Sequence, residues 1–220
     1  MKKVLKEILQ MPYFQNYAAT SGHVHNVAKH EDAVEDVLVS NGLTKLYPPT
    51  VGLRGGKNKD SVPLADRNGW LKGENDPLPD NCYIPQPCGT HNSPDFIVKK
   101  AGELYFLECK SVKGGTPMYN SGIPKDNYIY ILTSERHNRT TVYLGGDILR
   151  RPEAQLFSEH IEEARERDKE FNAKLKANGH GISYYTRPMI QHKGSKVNKD
   201  YFVNTRRAEL ESNVLEFVSV

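Results

Sequence analysis

Apolar residues recur at helical spacing at Val4, Leu5, Ile8 and Leu9, which predicts a short amphipathic helix ending before Pro12. A stronger stripe of Val27, Val34, Val37 and Leu38 predicts a second helix from about Asn26 to Asn41, with Gly42 where a C-terminal cap belongs. Glu31 and Glu35 lie four apart on it and so share a face. Further along, the period changes to two. Asp95-Phe96-Ile97-Val98 and Leu104-Tyr105-Phe106-Leu107-Glu108-Cys109-Lys110, separated by Ala101-Gly102, read as a hairpin. The runs Tyr128 to Thr133 and Thr141 to Leu144 read as a second strand pair around the polar tip Ser134 to Arg139. From Pro152 to about Asn178 the pattern is again helical, with Phe157, Ile161, Ala164, Phe171 and Leu175 on one stripe and Gly179 as the stop. Beyond Ile182 a strand, a basic loop and a final helix carrying Leu210, Val214 and Phe217 are expected.

Between the second helix and the hairpin the periodicity is lost. Residues 48–94 hold eight of the thirteen prolines and six glycines, so regular structure is expected to be sparse there. A loop of this length in a compact domain is usually functional or disordered, and the Asn68-Gly69 signal before Trp70 favours an ordered functional segment. No internal repeat is present.

Size and charge narrow the classes. A chain of 220 residues, 37% hydrophobic, has room for one sizeable core, so residues 1–220 are read as a single domain. Mean hydropathy is −0.65 and no apolar run approaches the roughly 20 residues of a membrane span, so no membrane association is expected. The start, MKKVLKEILQMPYF, lacks the pattern of a secretory signal, and three cysteines without a C-x-x-C suggest neither a disulfide framework nor a zinc ribbon. A reducing, cytoplasmic setting is the expectation. The net charge of +3 is modest, so any contact with nucleic acid must come from local basic clusters.

The hairpin carries the candidate chemistry. Alternation along a strand puts Glu108 and Lys110 on one face and Cys109 on the other. With Asp95 opening the adjacent antiparallel strand, three charged groups converge at one end. Two carboxylates on rigid strands, with a backbone carbonyl between them, are the hard oxygen donors that Mg²⁺ prefers. A lysine beside them can orient an attacking water or neutralise charge building on a phosphate. This combination suits phosphodiester hydrolysis.

At these residues the sequence resembles the PD-(D/E)XK nuclease superfamily, with the overall look of a type II restriction endonuclease. Pro94-Asp95 stands at the family's PD and Glu108-Cys109-Lys110 at its (D/E)XK, with a twelve-residue spacer between them. The resemblance implies a mixed central β-sheet flanked by helices, an α/β core of restriction-endonuclease type. It also implies that Asp95, Glu108 and the Cys109 main-chain carbonyl bind Mg²⁺ and that Lys110 assists the water. An acid from the preceding helix often completes such a site, which makes Glu31 the first candidate and Glu35 the second. The expected activity is cleavage of double-stranded DNA to 5′-phosphate and 3′-hydroxyl ends by a homodimer, one site per strand. A repair or recombination endonuclease of the same superfamily and a non-catalytic DNA-binding module remain open alternatives. One departure is visible: residues 111–127, rich in glycine and proline, cannot form the helix that the family usually places between its third and fourth strands.

Other residues receive weaker readings. The loops at about 48–94 and 111–127 and the basic segment 187–207 are candidate DNA contacts, through Arg54, Lys57, Asn58, Lys59, Lys113, Tyr119, Asn120, Asn138, Arg139, Lys193 and Lys196. A solvated basic loop is the plain alternative for the last segment. His23, His25, His91 and His137 lack partners at metal-ligand spacing and read as surface or DNA-facing residues. Cys109 reads as a buried thiol behind the active face.

Overall fold

The computed structural model describes residues 1–14, 29–46, 78–87, 93–120, 122–179, 181–193 and 199–218. Four α-helices are seen among them: α1 (Lys2–Ile8), α2 (Lys29–Ser40), α3 (Arg151–Ala177) and α4 (Asn204–Phe217). The strands are β1 (Thr44–Lys45), β2 (Cys82–Pro85), β3 (Phe96–Lys100), β4 (Glu103–Val112), β5 (Met118–Tyr119), β6 (Tyr128–Ser134), β7 (Arg139–Leu144) and β8 (Ile190–Gln191). Six of them form a mixed central sheet in the order β1-β2-β3-β4-β6-β7, so the fold is α/β, and β5 pairs with β8 in a separate ribbon.

The hairpin expected around Ala101-Gly102 is β3–β4, antiparallel, with Phe96 opposite Leu107 and Lys100 opposite Glu103. Ala101 (φ 54°) and Gly102 (φ 80°) both have positive φ, as a two-residue turn that follows the twist of the strands requires. The second pair, β6–β7, is also antiparallel around its polar tip. The centre of the sheet is the parallel pair β4–β6, with Glu108 opposite Tyr130 and Lys110 opposite Leu132. Every residue of β6 is buried, as expected for a strand covered on both faces.

Two apolar clusters lie on the two faces of the sheet. On one, Val4, Leu5 and Ile8 of α1, Val34 and Leu38 of α2 and Val214 of α4 pack with Phe96, Tyr105, Leu107 and Ile131. On the other, Phe106, Tyr130, Leu132 and Tyr143 pack with Tyr119, Ile190, Tyr201 and Leu210. The alternation along β4 is therefore as expected: Glu108 and Lys110 share the parity of Phe106, and Cys109 packs with the first cluster.

The crossover from β4 to β6 is irregular, as its glycines and prolines require. It is held by residues much later in the chain: Tyr119 pairs with Ile190, and the N–H of Tyr201 donates to the Gly115 carbonyl at 2.9 Å. Gly115 permits this approach, because a Cβ there would fall 1.8 Å from Asp200 Oδ1.

Three expectations are refined. The proline-rich stretch contains a strand of the central sheet, β2, whose Cys82, Tyr83 and Ile84 are buried. The strand beyond Ile182 shrinks to the two residues of β8, and residues 181–189 run along α3 without a ladder. The α3 stripe is partly covered, with Ile161 packed against the second cluster and no side chain of the helix fully buried. Among the described residues, no helix is long and apolar enough to cross a membrane.

Candidate active site

Asp95 sits just before β3. Its own N–H donates to the Leu107 carbonyl at 2.9 Å, while its carbonyl accepts from the Gln86 N–H at 2.6 Å. This continuation of the β3–β4 ladder brings the Asp95 carboxylate beside the middle of β4. There its Oδ2 accepts the Cys109 main-chain N–H at 2.7 Å.

Glu108, 6% exposed, extends its Oε1 to the Lys110 ammonium at 2.6 Å. Its Oε2 is buried without a hydrogen-bond partner. Glu31, on the first turns of α2, is brought in by Gln86, whose Nε2 donates to Glu31 Oε2 at 2.5 Å and to Asp95 Oδ1 at 3.2 Å. One amide thus bridges the helix acid and the strand acid. Gln86 itself stands at φ 47°, immediately after β2, and its Oε1 is also buried without a partner.

The electrostatics follow from burial of several acids around one cation. Glu108 is pushed up to about 7, first by desolvation and then by Asp95, against the pull of Lys110. Glu31 is raised to about 7 for the same two leading reasons, opposed by its bond from Gln86. Burial raises Asp95 as well, with the Cys109 N–H and Lys110 working the other way. Carboxyls held this far above their ordinary range are poised to exchange protons for a cation. Behind them, burial raises the Cys109 thiol, in keeping with an inert group.

Among the described residues no three His, Cys, Asp or Glu side chains converge closely enough to enclose an ion unaided. The donor set nevertheless fits Mg²⁺, which keeps several waters and needs only one or two carboxylates. Asp95 and Glu108 supply hard oxygens, and the orphaned Glu108 Oε2 is a lone pair buried without other use. A cleft opens beside them, lined by Ser93, Glu108, Lys110, Asn120, Lys125 and Tyr130.

The other expected residues separate clearly. Glu35 does not belong to the cluster: it accepts from the Tyr83 hydroxyl at 2.8 Å and pairs with Lys45 at 2.6 Å. Tyr119 is 3% exposed and its hydroxyl meets those of Tyr143 (3.0 Å) and Tyr201 (3.3 Å) in the second apolar cluster, while an edge of the residue lines the cleft. Asn120 lines the cleft, and its carbonyl accepts from Arg187 at 2.7 Å. Lys113 is exposed just past β4, Asn138 and Arg139 are exposed at the β6–β7 turn, and Lys193 is exposed two residues past β8. Arg54, Lys57, Asn58, Lys59 and Lys196 lie outside the described residues. Sequence reasoning missed Gln86, although the apolar Cys82-Tyr83-Ile84 run before it carries a strand signal.

Comparison with family profiles, with curated proteins and with solved structures finds no match to this chain.

Proposed function

We propose that this chain is a Mg²⁺-dependent endonuclease of the PD-(D/E)XK superfamily, of type II restriction character, that cuts double-stranded DNA to 5′-phosphate and 3′-hydroxyl ends as a homodimer. The observation that carries this reading is the joining of Asp95, Glu108 and Lys110 at the parallel centre of a mixed sheet, with Glu31 tied in from the preceding helix through Gln86. That is the constellation the restriction-endonuclease-like core would require. An ordinary surface ion pair would not gather two half-buried carboxyls beside a buried one and leave a Glu108 oxygen without a partner.

Asp95 and Glu108 would hold Mg²⁺, with the Cys109 carbonyl as a further donor. Bound there, the ion supplies Lewis-acid polarisation of the phosphate and charge stabilisation of attacking and leaving oxygens. Lys110 orients the attacking water through its ammonium, and its pairing with Glu108 holds it at the cleft. Gln86 keeps Glu31 and Asp95 apart at fixed distance. The irregular crossover from β4 to β6, which includes Lys113 and Asn120, lies beside the scissile position and is the element assigned to DNA contact.

Incubation of long unmethylated duplex DNA with the protein, with and without Mg²⁺ and beside Glu108→Ala, tests the reading. Discrete fragments that need Mg²⁺ and vanish in the variant are expected. A smear would reassign the chain to a nonspecific or structure-selective nuclease, and uncut DNA under all conditions would overturn the restriction reading.

A further inference from the structure

The candidate cleft is small. It has room for about 20 Å³, on the order of one water, so whatever reacts beside Glu108 and Lys110 must seat its bulk outside. Two larger hollows continue from it. The first, of about 210 Å³, shares Gly122, Ile123 and Lys125 with the cleft. The second, of about 310 Å³, shares Ile161 and Arg165 with the first and lies between α3 and residues 186–190. Shared walls make these one route from the cleft, past the crossover, to the long helix.

The far end of the route is fastened to the near end. Arg187 Nε donates to the carbonyl of Asn120, a cleft residue, at 2.7 Å, using one of the five N–H donors of its guanidinium. A Cβ on Gly122 would stand 3.9 Å from Pro188 Cγ, so crossover and returning chain meet in ordinary contact there. Ile190, in the wall of the second hollow, is paired with Tyr119.

Charge and polarity state what fits. Lys125, Arg165 and Arg187 are exposed along the route against one exposed acid, Glu162. Glu162 accepts from Arg165 at 3.3 Å, but both side chains are largely exposed and such a pair yields easily to a stronger anion. The neighbouring acids Glu159, Glu163 and Glu166 line a separate surface of α3. In the second hollow Phe157, Ile161, Pro188 and Met189 give an apolar floor, while Arg165 and Arg187 bring charge to it. A line of cations that ends on an aromatic ring is how proteins hold unpaired strands, the cations following the phosphates and the ring taking a base. The volume lies at the lower end of that used for organic ligands, which suits one base. A paired base cannot enter, because its partner strand comes with it. A small organic anion would need only the second hollow, and would leave the continuity with the cleft without use.

We propose that the groove between α3 and residues 186–190 is a subsite for one unpaired nucleotide of a DNA strand, its base on Phe157 and its phosphates on Arg165 and Arg187, with the strand running over Lys125 to the cleft. The proposal rests on the proposed function for the strand at the cleft and adds where that strand leads.

The test is fluorescence anisotropy of the full chain with labelled DNA in EDTA, comparing a blunt duplex with the same duplex carrying a short single-stranded thymidine tail. The tailed duplex should bind at least about tenfold tighter. Arg165→Ala with Arg187→Ala should bring the two within about twofold and lower the salt slope of tailed binding by roughly one. Phe157→Ala should lose most of the same preference with the slope unchanged, since it removes a base contact and no cation. Arg165→Ala alone, which breaks only the exposed pair with Glu162, should show part of the loss, and Arg167→Ala, on the acidic surface of the helix, none. Equal binding of blunt and tailed DNA would overturn the proposal, as would a tail preference that survives the double arginine variant or Phe157→Ala. Discrete Mg²⁺-dependent fragments from a protein without tail preference would sink the subsite and leave the nuclease reading standing. A tail preference that the arginine variants abolish, in a protein that never cuts, would keep the subsite and sink the nuclease reading.

Discussion

The main-chain N–H of Cys109 donates to the Asp95 carboxylate at 2.7 Å, so the strand that carries Glu108 also aims the acid of its neighbour. An amide at position 95 keeps an acceptor for that N–H but removes the charge. Asp95→Asn should therefore fold with an undiminished melting temperature while DNA cutting falls about a hundredfold or more. Cleavage rates beside thermal melts check both halves.

Lys110 is held by Glu108 at 2.6 Å and is 18% exposed at the cleft. Lys110→Ala should bind duplex DNA in Ca²⁺ like the wild type and fail to cut in Mg²⁺. Substantial residual cutting would remove the lysine from the mechanism.

Metal-free stability should depend on pH in a definite direction. Glu31 and Glu108 have folded values of about 7 against an ordinary 4.5, so the folded state holds their protons more tightly. That contribution is complete below the ordinary value and is lost as pH rises through 7. His30, lowered to about 4 by burial, works oppositely: its contribution is present above its ordinary 6.5 and fades as pH falls towards 4. Between about pH 5 and pH 8 the acids should lower stability by about 1–2 kcal/mol, and Mg²⁺ should restore it at the upper end. Glu31→Gln should flatten the decline, as read by melting temperature across that range.

Gln86 touches two acids but would not touch a substrate. Gln86→Leu should raise the Mg²⁺ concentration needed for half-maximal cutting about 10–100-fold while leaving the rate at saturating Mg²⁺ closer to wild type. A loss of rate that Mg²⁺ cannot repair would argue against a positioning role.

Tyr119 is a core residue bonded to Tyr143 and Tyr201. Tyr119→Phe should cost about 1–2 kcal/mol in denaturant melts and leave the salt dependence of DNA binding unchanged. A flattened salt slope would return it to the interface.

How these residues read in the sequence differs for physical reasons. The β3–β4 hairpin was legible because a period of two is a direct image of side-chain alternation, and Ala101-Gly102 fits a tight turn. The helix acid was only half legible. Glu31 and Glu35 share a face, but they lie a turn apart along the axis, about 6 Å, and that displacement sends one to Gln86 and the other to Tyr83 and Lys45. Gln86 was hidden because Pro85 and Pro87 flank it and mask the strand that ends there. Tyr119 sits in a polar, glycine-rich loop, and nothing local shows that its ring turns inward to meet residues 24 and 82 positions away. The α3 stripe was read as apolar, and in the fold Ile161 packs against the second cluster while Tyr184 meets Phe171.

The crossover beside the cleft is stitched by β8 and by the approach of Tyr201 and Asp200 to Gly115. Contacts this distant in the chain form late. During translation, β4 with its acid and lysine emerges from the ribosome about 80 residues before the segment that fixes the loop next to it, counting from Lys110 to Ile190. A nascent or prematurely terminated chain ending before Ile190 would carry Asp95, Glu108 and Lys110 on their strands without the fastening of the crossover beside them. Under the proposed function, the order of assembly alone would then shield a host cell's own DNA from unfinished copies.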